Sequence, residues 1–110
     1  MDTNKQAVKV MAEYESFPLW RTNSDGPANI DPASLPISSE LAQALLGWAD
    51  SYDRTLNRDD PLASGFPDTA VEEAFYAQGE RLARQLATEL GAQYTVEYFD
   101  GRIGRTTLVP

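Results

Sequence analysis

Two segments of the chain, Leu41 to Leu56 and Val71 to Leu90, repeat apolar side chains at three- to four-residue intervals. Segments in which apolar and polar residues alternate lie before the first and after the second. A helix with one apolar stripe must bury it against another layer, and an alternating strand offers an apolar face for that purpose. The order strand, helix, helix, strand, strand therefore predicts one α+β domain over residues 1–110, with two helices packed on one face of a small antiparallel or mixed sheet.

Val8, Val10, Ala12 and Tyr14 alternate with Lys9, Met11 and Glu13, which predicts a first strand over Ala7 to Tyr14. Ser38 is suited to cap a helix whose stripe is Leu41, Leu45, Trp48, Tyr52 and Leu56, so helix one is expected from Ser39 to Leu56, with Asn57 as its stop. Thr69 and Glu72 match the spacing of a capping box. Val71, Phe75, Leu82, Leu86 and Leu90 mark the buried stripe of helix two, and Gly91 is its natural C-terminal stop. Gly79 inside that helix costs about 1 kcal/mol relative to alanine, which predicts close approach of another element. Tyr94, Val96 and Tyr98 alternate with Thr95, Glu97 and Phe99. Asp100-Gly101 then favours a tight type I′ turn, followed by a return strand from Arg102 to Val109.

Two long connections separate these elements. The first follows Phe17-Pro18-Leu19-Trp20 and runs over residues 21–37 with Gly26, Pro27, Pro32 and Pro36; the second runs from Asn57 to Asp68 with Pro61, Gly65 and Pro67. Proline and glycine at this density forbid long regular structure, and such length is unusual for an inert loop. Acidic charge is concentrated in the same region. Residues 22–80 carry 11 Asp and Glu against 2 Lys and Arg, and the rest of the chain carries 6 against 7, so the middle accounts for the net charge of −8.

Part of that acidity has a local explanation. Glu72 and Glu73 complement the positive end of helix two, and Asp50 with Arg54 and Glu80 with Arg84 have the spacing of helical ion pairs. Yet Asp25, Asp31, Asp50, Asp53, Asp59, Asp60 and Asp68 have few basic neighbours in sequence. An uncompensated field of one sign steers a cationic partner and opposes phosphate, so a basic protein is the expected partner and nucleic acid is not. Trp20 and Phe66 lie in or beside the acidic connections. There an aromatic serves either as a binding anchor or as a plug for the core edge. These two and the seven aspartates are the candidate partner-binding residues.

The chain contains no His and no Cys, the residues most used for proton transfer and metal ligation near neutral pH. Asp50, Asp53, Asp59 and Asp60 do not match a calcium-loop spacing. Ser64-Gly65 lacks a nucleophile-elbow pattern, and Gly101 and Gly104 sit in a hairpin rather than between the helices of an RNA-clamping loop. No catalytic residue, cofactor or metal is expected, and a small enzyme built on carboxylates is the least favoured class. The start of the chain lacks the basic and apolar run of a signal peptide and no stretch approaches a membrane span, so a cytoplasmic location is expected.

Pro18-Leu19-Trp20, Asn29-Ile30-Asp31-Pro32, Trp48-Ala49-Asp50-Ser51-Tyr52-Asp53, Leu56-Asn57 and Ser64-Gly65-Phe66 together resemble a family of small acidic bacterial proteins encoded in toxin–immunity loci. The resemblance covers about the first two thirds of the chain and carries no catalytic motif. It implies an immunity protein of a contact-dependent growth inhibition or polymorphic toxin system, which binds a toxin's C-terminal domain and blocks its active site. The acidic middle fits a nuclease-type toxin, whose basic cleft carboxylates could occupy in place of phosphates. The alternative is a cytoplasmic interaction or regulatory module whose partner is not a toxin.

Overall fold

A computed structural model describes residues 6–22, 28–60, 62 and 64–110. Five strands form one sheet: β1 (Gln6–Val10), β2 (Leu19–Arg21), β3 (Asn29–Ile30), β4 (Tyr94–Asp100) and β5 (Arg105–Val109). Between β3 and β4 come the helices α1 (Ser39–Asp53) and α2 (Thr69–Leu90). The strand order is β3-β2-β1-β4-β5. β1 and β4 run parallel and every other pair is antiparallel, so the α+β expectation holds with a mixed sheet.

The register sets the core. Val8 faces Val96, Val10 faces Tyr98 and Leu19, and Leu19 faces Ile30, so these six residues share one face of the sheet. All six are buried, together with Leu41, Leu45 and Trp48 of α1 and Phe75, Leu82, Leu86 and Leu90 of α2. Full burial of one such aliphatic or aromatic side chain is worth about 1.5–3 kcal/mol, which makes this seam the main source of stability. Trp48 stacks on Phe75 at 4.7 Å between ring centroids and donates its indole N–H to the Phe75 carbonyl at 2.9 Å. Gly79 meets the expectation placed on it: a Cβ there would collide with the Trp48 indole and lie 2.6 Å from the Tyr98 hydroxyl.

The expected first strand is shorter than its alternation. Pairing ends at Val10, and the chain turns at Glu15 with a left-handed φ of 58°. The alternation continues because Tyr14 still faces apolar material, stacking on Tyr52 at 4.6 Å. Two strands were not expected: β2 lies across the start of the first connection and β3 falls inside it. β2 and β3 are held by side-chain work as much as by ladder bonds: the Asn29 amide donates to the carbonyls of Phe17 and Leu19 and accepts from the Phe17 N–H at 2.9 Å.

Helix boundaries differ from expectation in two places. α1 ends at Asp53 rather than Leu56, because the next turn tightens: the N–H groups of Thr55 and Leu56 bond to carbonyls three residues back. Asp68, not Thr69, caps α2, its carboxylate accepting from the Val71 N–H at 2.9 Å. The buried stripe of α2 accordingly takes in Tyr76, Gly79 and Ala83 and leaves Val71 44% exposed.

The β4–β5 connection is not a two-residue turn. Asp100 pairs with Arg105, so Gly101 to Gly104 form the loop and the return strand begins at Arg105 rather than Arg102. Gly104 supplies the left-handed residue with φ 62°. Gly101 is required instead by contact, since a Cβ there would lie 2.5 Å from the Tyr76 hydroxyl. Among the described residues no helix is long and apolar enough to cross a membrane.

Candidate functional site

The helices are antiparallel. One end of the pair joins the start of α1 to the end of α2: the Glu89 carboxylate accepts from the Ser38 N–H at 2.6 Å and from its hydroxyl at 3.0 Å, while Ser38 Oγ accepts from the Leu41 N–H. The Ser38 N–H above all holds the Glu89 carboxyl below its ordinary range. Sequence reasoning missed this clasp because its partners lie far apart in the chain.

At the opposite end, three loops converge. Glu15, in the loop after β1, donates its N–H to Asp53 at 2.8 Å and pairs through its carboxylate with Arg58 at 3.1 Å. The connection after α1 folds back on the helix through Gly65 N–H to the Thr55 carbonyl and Asn57 N–H to Ser64 Oγ. Asn57 Oδ1 in turn accepts from the N–H groups of Asp59 and Asp60, which orders the backbone carrying those two carboxylates. After β4, Asp100 grips Arg102 through two nitrogens at 2.7 and 3.1 Å, and the Arg102 guanidinium lies 5.5 Å above the Tyr76 ring.

An aromatic cluster supports this end. Phe66 lies 5.0 Å from Phe75, 6.1 Å from Tyr76 and 6.3 Å from Tyr52, and Tyr14 shares a hydrogen bond with Thr55. Burial, reinforced by Tyr14, pushes the Tyr52 phenol up to about 12. Burial and the nearby Glu72 and Asp100 carboxylates raise Tyr76, and burial also raises Tyr98. Hydrogen bonding from Arg102 lowers Asp100. At neutral pH the phenols are therefore neutral and Asp100 is charged, states that serve hydrogen bonding and charge presentation.

The nine predicted residues do not form one surface. Asp50, Asp53, Asp59, Asp60, Phe66 and Asp68 gather at the three-loop end. Trp20 sits on the other face of the sheet: it registers with Lys9 and Asn29, whose neighbours in register face away from the helices, and its indole donates to the Met11 carbonyl at 3.0 Å. Asp31 lies beyond β3, where it caps a 3-10 turn through the Ala33 N–H. Asp25 lies outside the described residues. Phe66 is partly buried against the core, so it plugs the edge as well as bordering the surface. Of the six predicted aspartates that lie among the described residues, Asp50 alone pairs with a described guanidinium, that of Arg54. Glu15 was not anticipated at this end. The turn that delivers it follows a strand whose end the alternation concealed.

Two comparisons bear on identity. No curated protein matches the chain. The Serratia CdiI immunity protein-like family model matches residues 6–101, which include every strand but β5, both helices, two of the three converging loops and the first residue of the third. A match over that share of the sequence establishes kinship, and the chain belongs to the Serratia CdiI immunity protein-like family.

Proposed function

We propose that this chain is the immunity protein of a contact-dependent growth inhibition system and neutralises its cognate toxin domain in the cytoplasm by laying the three-loop acidic end over a basic, nuclease-type active-site cleft. The family match over residues 6–101 carries the immunity role. The charge of the end supports the mode of binding. Between residues 50 and 73 there are seven carboxylates and two guanidinium groups, and both cations are already held, Arg54 by Asp50 and Arg58 by Glu15.

A field of this kind raises the association rate of a cationic partner by about 10- to 1,000-fold and fades as salt screens it. Carboxylates seated where phosphates belong block a nuclease by occupancy, without chemistry of their own. The proposed contact comprises Asp50, Asp53, Asp59, Asp60, Phe66 and Asp68; Trp20 and Asp31 lie off it.

The test is co-expression with the toxin domain encoded beside this chain. Relief of toxicity, a co-purifying complex and an association rate that falls steeply with added salt are the expected outcome. A toxin that kills equally with and without the chain refutes the immunity role, and a salt-insensitive association rate refutes the electrostatic mode.

A further inference from the structure

The three-loop end is not only charged. Between the last turns of α1 and the first turns of α2 lies a groove of about 370 Å³, lined by Ser51, Thr55, Phe66, Val71, Ala74 and Phe75 among others. Its apolar lining is under-covered: Val71 is 44% exposed although Phe75, one turn further along α2, belongs to the core. A hollow of that volume is the size of a pocket that admits one large side chain with its flanking backbone.

We infer that this groove is the seat of an apolar anchor side chain projecting from the cationic face of the toxin domain, an inference that rests on the immunity role proposed above. Charge complementarity selects the occupant. Asp50, Asp68 and Glu72 adjoin groove-lining residues in the chain, and Arg54, the one cation lining the groove among the described residues, is committed to Asp50. A second copy of this chain would bring the same negative rim against it and be repelled. An aliphatic or aromatic residue flanked by Lys or Arg matches both the lining and the rim. Such buried anchors, ringed by polar contacts that exclude water, carry most of the energy in protein interfaces. The acids would then set how fast the partners meet, and the groove how long they stay.

Filling the groove separates the two roles. Ala74 is exposed on α2 and Ser51 is exposed on α1, so Ala74→Trp and Ser51→Phe each add bulk from a different wall without touching the core. Both variants, checked for wild-type thermal unfolding, are expected to bind the toxin domain at least about 30-fold more weakly, the loss of one hot-spot anchor. The loss should appear as faster dissociation, with the salt dependence of association unchanged. Wild-type affinity in a folded filled variant overturns the inference and leaves the immunity role standing. Self-association of the free chain that Ala74→Trp abolishes overturns it in favour of a homodimer seam. A wild-type chain that fails to bind the toxin domain removes both.

Discussion

The two ends of the helix pair use the same chemical group in opposite ways. At the closed end, Glu89 turns inward and spends its charge on the Ser38 N–H and hydroxyl, fastening one helix to the other. At the open end, the carboxylates of Asp59 and Asp60 are held only by their backbone, through Asn57, and have no ion-pair partner among the described residues. Acidic residues in one small domain thus divide into fasteners and display. What decides the division is whether an unsatisfied helix N–H lies within reach. Asp68 stands between the classes, capping α2 while bordering the open groove.

Breaking the seam that both ends share should have the largest effect. Trp48→Ala removes a side chain only 1% exposed, its stacking on Phe75 and its hydrogen bond, and should cost about 3–5 kcal/mol in chemical denaturation. A loss below about 1 kcal/mol would mean the two ends are stabilised independently. Asp68→Ala should cost about 1 kcal/mol through the lost cap, while Asp68→Asn, an equally good cap, should be nearly neutral in stability. If both variants lose the same amount, the charge rather than the hydrogen bond is what the helix needs.

The closed end should be sensed through pH. Because Glu89 is depressed in the folded chain, its contribution is complete above its unfolded value near ~4.3 and is lost as pH falls through the lower folded value. Glu89→Gln should therefore lower stability at neutral pH and flatten the acid limb of the unfolding profile. An unchanged acid limb would show that the clasp is not charge-dependent. The smallest effect is expected at the open end: Asp59→Asn with Asp60→Asn should change stability by less than about 0.5 kcal/mol, as surface substitutions do. The same pair should slow association with the toxin domain. A large loss of stability would turn these two acids from display into structure.

The helices were legible in the sequence because each carries an apolar stripe and one sound terminal signal within its own segment, the Ser38 cap of α1 and the Gly91 stop of α2. β2 and β3 were not, since strands of three and two residues have no periodicity to detect and exist only through pairing with β1 and the Asn29 side chain. The Asp100-Gly101 pair misled for a related reason: Gly101 answers to Tyr76, a contact from α2 that no local pattern records. For the candidate site, acidity was visible as composition, but its division between the two ends of the helix pair was not. Trp20 and Phe66 look equivalent along the chain, and the sheet register separates them.

The parallel pairing of β1 with β4 carries a temporal consequence. β1 is hydrogen-bonded to β2 on one side, but its other side waits for a strand that follows the entire helical hairpin. During synthesis, Val8 and Val10 can reach their permanent neighbours Val96 and Tyr98 only after both helices have emerged, and closing so large a loop is slow. The sheet is therefore completed only by the last fifth of the sequence, and a truncation before β4 would leave the central strand β1 paired along one edge alone.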